Sequence, residues 1–223
     1  MKLVDEVPPV LDVHPPHEPV HGWRDFLLHI LTITIGLLIA LGLEGCVEWQ
    51  HHRHLVHEAE TSLRAEIQSN ANSLQDILDD VHKQQANLKN DVEVLDDIIK
   101  DPKLRQHKTM SVAFHFNKFD DVSWKTAQST GALSYMSYDT AEKYAGIYSL
   151  QEELEKAQLQ GTRDAITSIG PILNVPDNTN PNPSEAQYMK EHLEVVQGQL
   201  ILIESLVKGL DAEYKKFLAA RPA

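Results

Sequence analysis

Cysteine is almost absent from this sequence of 223 residues, which contains only Cys46. A single cysteine cannot form an intramolecular disulfide, and it cannot build a zinc site from cysteine ligands. The shortage therefore excludes a small secreted scaffold held together by disulfides. It leaves the redox compartment of the protein open.

Positive charge is also scarce, because 20 Lys and Arg face 33 Asp and Glu and give a net charge of −13. Binding to nucleic-acid phosphates requires clustered Lys and Arg, and the sequence contains no such cluster. The charge balance therefore argues against a nucleic-acid partner. It also argues against broad docking on an anionic lipid surface.

Catalytic motifs are missing as well. The sequence has neither a nucleophile elbow nor a glycine-rich phosphate-binding loop. The adjacent acid pairs Asp79-Asp80, Asp96-Asp97 and Glu152-Glu153 fan outward on a helix, which is typical of a solvated face. We predict that the chain is not an enzyme.

One long apolar run stands out in a chain whose mean hydropathy is negative. Residues 26–43 carry no formal charge. At about 1.5 Å per residue they span roughly 27 Å, close to the bilayer's hydrocarbon core of about 30 Å. Trp23 and Trp49 flank the run like interfacial anchors. Residues 23–49 are therefore predicted to form a transmembrane helix, with the lipid bilayer as its surroundings.

The end of this segment, Leu43-Glu-Gly-Cys46, resembles a lipoprotein cleavage box in which Cys46 would carry a lipid. The acidic Glu44 beside the cut and the long tail before the apolar run fit such a box poorly. We therefore expect an uncleaved anchor.

The orientation of the membrane helix is weakly specified. Arg24 and Arg53 flank its opposite ends, so the positive-inside count is close to a tie. A short tail followed by a long folded part suits a signal anchor with an exported C-terminal domain.

One face of the predicted membrane helix carries residues that are unusual against lipid. At about 100° per residue, five of them fall within about 120° of one another. They are His29, Thr32, Gly36, Ala40 and Glu44. Small residues four apart let another helix approach closely, and polar groups in hydrocarbon tend to face protein. We predict that this face contacts another membrane helix; the alternative is a lone anchor. His29 could instead ligate a tetrapyrrole metal.

A heptad pattern follows the apolar segment, and neither glycine nor proline occurs between Val47 and Lys100. Its steps of four and three are typical of a coiled-coil or bundle seam. The pairs are Ile67/Ala71, Leu74/Leu78, Val81/Gln85, Leu88/Val92 and Leu95/Ile99. Residues 50–100 are predicted to form a juxtamembrane segment and a long heptad helix that continues the membrane helix as a stalk.

The boundaries of the remaining segments are predicted from the positions of proline, glycine and asparagine, which interrupt helices. The tail over residues 1–22 is predicted to be extended or disordered, and residues 101–122 to form a connector. A short helix and a second long helix are expected within 123–170, and a Pro/Asn loop within 171–183.

The last helix is predicted over residues 184–219, with Ser184 as its cap. Its apolar stripe is Leu193, Val196, Leu200, Ile203, Val207 and Leu210. This regularity predicts antiparallel packing on the helix of residues 60–99. The expected fold class is all-α: one N-terminal transmembrane helix continues into a coiled-coil-like helical bundle of three long helices plus a short one.

A histidine-rich segment follows the predicted membrane helix. On a helix His51, His54 and Glu58 share a face, and together they could supply part of a divalent transition-metal site. Another helix or chain would have to complete the ligand set. The alternatives are a solvated segment at the headgroup level and a pH-responsive contact.

Several blocks of the sequence together resemble a broad bacterial family. They are Trp23-Arg-Asp-Phe26, the Ile33–Leu43 run, the acidic helix from Glu58 through Asn70, and the Ser123 segment with Tyr144 and Tyr148. The family's members are single-span membrane proteins with a helical domain and no assigned function. The resemblance covers residues 22–150 and implies a bacterial membrane setting. With the signal-anchor orientation, it implies an inner-membrane protein with a periplasmic or other extracytoplasmic domain.

Three functions remain open at this stage. The favoured one is an accessory or scaffold subunit that binds other membrane-protein subunits or associates with itself, without a cofactor. The second is a membrane-tethered sensor or signalling stalk. The third is a metal- or tetrapyrrole-binding protein that uses His29 or the 51–58 segment.

Overall fold

The computed structural model describes residues 22–102, 110, 114–115, 117–173 and 181–220. Within these ranges the protein is helical and has no strands, so the all-α prediction is confirmed. The α-helices are α1 (Trp23–Lys100), α2 (Val122–Ser129), α3 (Tyr138–Ser168) and α4 (Pro183–Ala219). Short 3₁₀ helices span Ala132–Tyr135 and Gly170–Ile172. The predicted tail, apart from Gly22, lies outside the described residues, as do parts of the connector and of the Pro/Asn loop.

The chain divides into two units, Met1–His51 and His52–Ala223. The described part of the first unit is the N-terminal part of α1, where every residue from Gly22 to His51 is exposed. It contains a segment long and apolar enough to cross a membrane. The second unit has its own hydrophobic core, built from α1, α3 and α4 together with α2 and Phe119.

Within the second unit, α4 runs antiparallel to α1. The guanidinium of Arg64 donates a hydrogen bond to the carbonyl of Leu218 at 2.6 Å. Further along α1, the carboxylate of Asp96 accepts a hydrogen bond from Lys190 at 2.7 Å. Residue numbers therefore rise along α1 as they fall along α4.

A polar layer joins these two helices between those contacts. The amide of Gln85, the polar position of the predicted seam, donates to Glu204 at 2.8 Å. Lys208 donates to the same carboxylate from the next turn of α4. Hydrogen bonds from Lys208, then Gln85 and then His82 lower the pKa of Glu204 to about 2. The layer is thus built around an ionised carboxylate.

α1 buries a wider face than a single seam. The seam residues Ile67, Leu74, Val81, Leu88 and Leu95 are buried, and Leu78 is half-buried. A second row three residues further on is buried too: Asn70, Ile77, Gln84, Asp91 and Ile98. The face is wide because α1 contacts both α3, through Glu66, and α4, through Gln85. A helix with two neighbours needs a broader covered stripe than one strand of a two-stranded coiled coil.

The predicted stripe of α4 points into this core. All six of its residues are at most 3% exposed: Leu193, Val196, Leu200, Ile203, Val207 and Leu210. The stripe extends to Tyr214, which is fully buried. Its hydroxyl accepts a hydrogen bond from Gln151 of α3 at 2.6 Å, so α4 is in contact with α3 as well as α1.

The start of α4 corrects the prediction that Ser184 is its cap. Asn182 is the cap, because its Oδ1 accepts from the backbone N–H groups of Ser184 and Glu185, each at 3.0 Å. The Glu185 carboxylate accepts from the Asn182 N–H at 2.8 Å and completes a capping box. Pro183 suits the first helical position, where its fixed φ fits and its missing N–H is not needed. The helix therefore begins one residue earlier than predicted.

The region from 123 to 170 contains an additional turn between its two helices. Gly131 has φ 76°, a left-handed conformation that glycine adopts without strain, and it leads into the 3₁₀ helix Ala132–Tyr135. Ser137 then caps α3 by accepting from the Thr140 N–H at 3.2 Å. The predicted short helix is thus divided into α2 and a 3₁₀ turn.

Candidate functional site

The residues predicted to contact another membrane helix lie on the exposed N-terminal part of α1. They are His29, Thr32, Gly36, Ala40 and Glu44. The hydroxyl of Thr32 donates to the Leu28 carbonyl at 2.8 Å, so its donor is satisfied inside the helix. Among the described residues, a methyl group added at Gly36 would meet no atom within 4 Å beyond the nearby backbone of its own helix. The described part of this chain thus leaves the face open.

The predicted metal ligands are brought together in part. The Nε2 of His54 lies 3.2 Å from the Oε1 of Glu58, and both side chains are exposed. His51 is exposed on the preceding turn of α1. Among the residues that the structure describes, no group of three or more His, Cys, Asp or Glu side chains is arranged to hold a metal ion. The structure therefore brings His54 and Glu58 into contact, and the predicted metal site stays a prediction.

The other two histidines of this segment, His52 and His57, face α2 and the 3₁₀ turn that follows it. His52 stacks on Tyr135, with ring centroids 3.7 Å apart and planes inclined by 16°. His57 lines an open groove of ≈ 580 Å³ between α1 and α2. Leu55, Thr61 and Thr126 are among the other residues of its walls. The groove mixes apolar groups with hydroxyls.

A set of buried polar side chains on α1 and α3 holds the chain segment that precedes α2 and the first turn of α2. We call it the connector clamp: Glu66, Asn70, Gln84 and Gln158. Asn70 pairs with the backbone of Asp120, accepting its N–H at 3.0 Å and donating to its carbonyl at 2.8 Å. Gln158 pairs in the same way with Asn117, at 2.8 and 3.1 Å.

The other two members of the clamp each accept one backbone N–H. Gln84 accepts from His115 at 3.3 Å, and Glu66 accepts from Ser123 at 2.7 Å. A buried backbone N–H or carbonyl without a partner is costly. The clamp therefore supplies the partners that an irregular segment lacks against a helical surface.

The same segment approaches α3 closely at Gly161. A Cβ built at this position would lie 2.5 Å from the Cζ of Phe114, well inside van der Waals contact. Gly161 is buried within α3, where glycine costs about 1 kcal/mol relative to alanine. Its presence is explained by the phenyl ring that occupies the space a side chain would need.

Glu66 also links the clamp to a group of buried tyrosines. The Tyr148 hydroxyl donates to the Oε1 of Glu66 at 2.6 Å, and its ring stacks on Trp124 with centroids 4.9 Å apart. Burial, followed by the hydrogen bond to Glu66, raises the pKa of Tyr148. Burial also raises the pKa of Tyr214, and it raises that of Tyr144 to about 12.

Alkaline pH is expected to unfold the bundle through these tyrosines. Because their pKa values are raised from 10.0, the folded state retains phenolic protons that the unfolded state releases. The contribution of Tyr144 is complete below pH 10.0 and is lost as the pH rises through about 12. In a pH titration, the loss of helical circular dichroism and the rise of tyrosinate absorbance should coincide for this group. Replacing Tyr148 and Tyr214 by Phe should make the stability of the bundle less sensitive to alkaline pH. If the tyrosines ionise at a pH well below that at which the helices unfold, this prediction is wrong.

Sequence reasoning missed the connector clamp because polar residues on a helix ordinarily indicate solvent. One signal was available: Asn70, Gln84 and Asp91 recur at multiples of seven in the same row as Ile77 and Ile98. Polar residues in register with an apolar row indicate that the whole row is buried. The partners of these polar residues depend on where the connector lies, and the helix pattern does not predict that position.

Comparison with known proteins adds no relative: no family model, no curated protein and no solved structure matches the chain. Functional inference therefore depends on the geometry of the chain itself. Two features carry it: the open apolar part of α1, and a bundle whose buried polar groups in the connector clamp bind its own backbone.

Proposed function

We propose that the protein is a non-catalytic, membrane-anchored accessory or scaffold subunit. Residues 23–49 cross the bacterial inner membrane once and dock on a larger membrane-protein complex. The bundle lies on the periplasmic or other extracytoplasmic side, where it covers or scaffolds the partner. Its heptad seam from Ile67 to Ile99 packs in the manner of a coiled coil.

The observation that carries this proposal is the uncovered apolar part of α1. Residues 22–51 are all exposed, and the stretch contains a segment long and apolar enough to span a membrane. Each large aliphatic side chain gains about 1.5–3 kcal/mol when it is removed from water. Lipid and a partner helix are the two surroundings that provide this gain.

Support for a scaffold rather than a catalyst comes from how the buried polar groups are used. Asn70 and Gln158 each pair with a backbone N–H and a backbone carbonyl. Glu66 accepts from Ser123 and Tyr148. Side chains held in this way stabilise the bundle and present no free base or nucleophile to a substrate.

A second candidate is a sensor or signalling stalk. The extent of α1 favours it, because one helix from Trp23 to Lys100 contains both the apolar segment and the heptad segment. In this role a stimulus on one side of the membrane would change the packing of the other part of the helix. Crosslinks along residues 60–99 that do not respond to any condition would count against it.

Metal or tetrapyrrole binding is the third candidate, supported by the contact between His54 and Glu58 at 3.2 Å. A metal site there needs further ligands from another chain, and His29 would be the ligand for a tetrapyrrole. A colourless preparation that contains no metal after purification in mild detergent would eliminate this function.

Exchange of Gly36 for leucine is expected to remove the partner. The leucine would fill the space that a neighbouring backbone needs, and the amount of protein that co-purifies in mild detergent should fall at least about tenfold. A leucine at Gly42 is the matched control, since it points about 120° away around the helix. At neither position would an added Cβ come within 4 Å of a described residue beyond the helix's own nearby backbone, so both variants should fold normally.

Two results would decide against the proposed docking face. The first is equal co-purification of partners with the Gly36→Leu and Gly42→Leu variants. The second is a wild-type chain that elutes from mild detergent without any associated membrane protein. Equal urea stability of the two variants would show that a difference between them reports binding and not folding.

A further inference from the structure

The outward face of α4 carries a second heptad pattern that the bundle does not bury. Tyr188, Val195 and Leu202 recur every seven residues and are 41%, 52% and 48% exposed. Between them the pattern steps by three to exposed positions that include Gly198 and Ser205. Large apolar or aromatic side chains at this seven-residue interval share one face of a helix, where they can pack along another helix. We call this surface, which continues to position 216, the outer α4 face.

The outer α4 face leaves room for a close neighbour. In the part of the chain that the structure describes, a methyl group added at Gly198 or Gly209 would meet no atom within 4 Å outside the nearby backbone of α4. The distance between two packed helices depends on the side chains at the contact. Large side chains of one helix can therefore sit against the small residues of another, if the register brings them together.

Charge along this face is divided between its two ends. Glu191 lies on this face towards the start of α4, and Lys216 lies on it towards the end. Lys216 contacts Glu213 at 3.4 Å, but such exposed pairs within a helix contribute only a few tenths of a kcal/mol. A parallel copy of α4 would set like charges against each other, whereas an antiparallel copy sets opposite charges against each other.

One antiparallel register satisfies charge and shape together. If Glu191 lies opposite Lys216 of a second copy, Val195 lies opposite Ala212, and Leu202 lies opposite Ser205. Each large side chain then meets a small one, and every contact occurs twice by symmetry. A self-complementary patch of this kind is what a two-fold interface between identical chains requires.

We propose that the outer α4 face binds a second copy of this chain, with the two α4 helices antiparallel. The symmetry axis is perpendicular to α4 and passes between residues 203 and 204. The surface is separate from the membrane-helix face around Gly36, so this inference does not depend on the proposed function. It assigns a partner to the exposed row of large side chains Tyr188, Val195 and Leu202.

The contact is small, and its strength follows from its size. Residues 188–216 extend over about 42 Å, and a single pair of helices buries less area than a standard stable interface. We expect a weak dimer in dilute detergent, and a larger dimer fraction where a membrane concentrates the copies.

Disulfide trapping of the full-length chain in detergent tests the register. With Cys46 replaced by Ala, a variant carrying Val195→Cys and Ala212→Cys should form a crosslinked dimer on mild oxidation. Val195→Cys alone should give at least about tenfold less, because two copies of position 195 lie about 25 Å apart in this register. Ile166→Cys, on an exposed part of α3, is the background control. Efficient trapping by Val195→Cys alone, or a double variant that stays monomeric, would overturn the arrangement.

Charge exchange provides the second test and separates association from folding. In the trapping variant, Glu191→Lys or Lys216→Glu should each lower the crosslink yield several-fold at low salt. The two changes together restore opposite charges across the interface and should recover most of the yield. If the doubly exchanged chain gives as little dimer as either single change, the proposed pairing of these residues is wrong.

Discussion

Replacing Leu200 by alanine is expected to lower the free energy of unfolding of the bundle by about 3 kcal/mol. Leu200 is 1% exposed and lies at the middle of the buried stripe of α4. Its truncation removes apolar contacts and leaves a cavity that two long helices cannot fully close. Urea unfolding of the full-length chain in detergent, followed by tryptophan fluorescence and circular dichroism, measures the change.

The next residue in the sequence is the matched control. Ile201 is 58% exposed, so Ile201→Ala should change the free energy of unfolding by less than about 0.5 kcal/mol. Alanine also has the higher helix propensity, which further limits any loss. If the two variants lost equal stability, the orientation of α4 in the core would be incorrect.

Removal of the Glu66 carboxylate is expected to cost about 3 kcal/mol, by a different mechanism. Glu66 is 9% exposed and accepts hydrogen bonds from the Ser123 N–H and the Tyr148 hydroxyl. A Glu66→Ala change leaves both donors without their acceptor in a buried setting, and such losses are larger than the net value of the bonds themselves. The same urea titration measures the effect.

A double-mutant cycle with Tyr148→Phe shows whether the cost comes from this contact. The Tyr148→Phe change alone should cost about 1–2 kcal/mol, and the combined variant should cost less than the sum of the two single changes. Glu58→Ala, on an exposed part of α1, should cost less than about 0.5 kcal/mol. Additive effects of Glu66→Ala and Tyr148→Phe would exclude the energetic coupling inferred here.

The long helices could be predicted from the sequence because their periodicity depends only on residues close together in the chain. The unbroken stretch from Val47 to Lys100 predicted a long helix, and α1 ends at Lys100. The apolar stripe of α4 identified residues that the structure buries, from Leu193 to Leu210. In both cases the period of the helix turns a linear spacing into a spatial face.

The start of α4 and the width of the buried face of α1 were harder to predict from the sequence, for physical reasons. Ser184 and Asn182 are both good cap residues, and the choice between them depends on Pro183, which takes the first helical position more readily than a loop position. The buried row from Asn70 to Ile98 was not part of the predicted seam, because three of its five residues are polar. A helix covered by two neighbours buries residues that a two-stranded pattern leaves in solvent.

The candidate sites divide in a similar way. Spacing alone placed His54 and Glu58 within reach of each other, and they lie 3.2 Å apart. Neither the stack of His52 on Tyr135 nor the pairing of Gln158 with Asn117 follows from spacing, since each joins residues far apart in the chain. The docking role of the face around Gly36 stays a prediction, because its proposed contact belongs to another molecule.

The sequence by itself determined that this protein is helical and that one segment near its N-terminus is long and apolar enough to cross a membrane. Length, apolarity and period are properties of consecutive residues, and they require no knowledge of the fold. Only the tertiary structure decided which polar side chains are buried and what they hold, such as Asn70 on Asp120 and Glu66 on Tyr148. Those contacts depend on where the connector and α3 meet α1, because a buried hydrogen bond is specified by both partners at once.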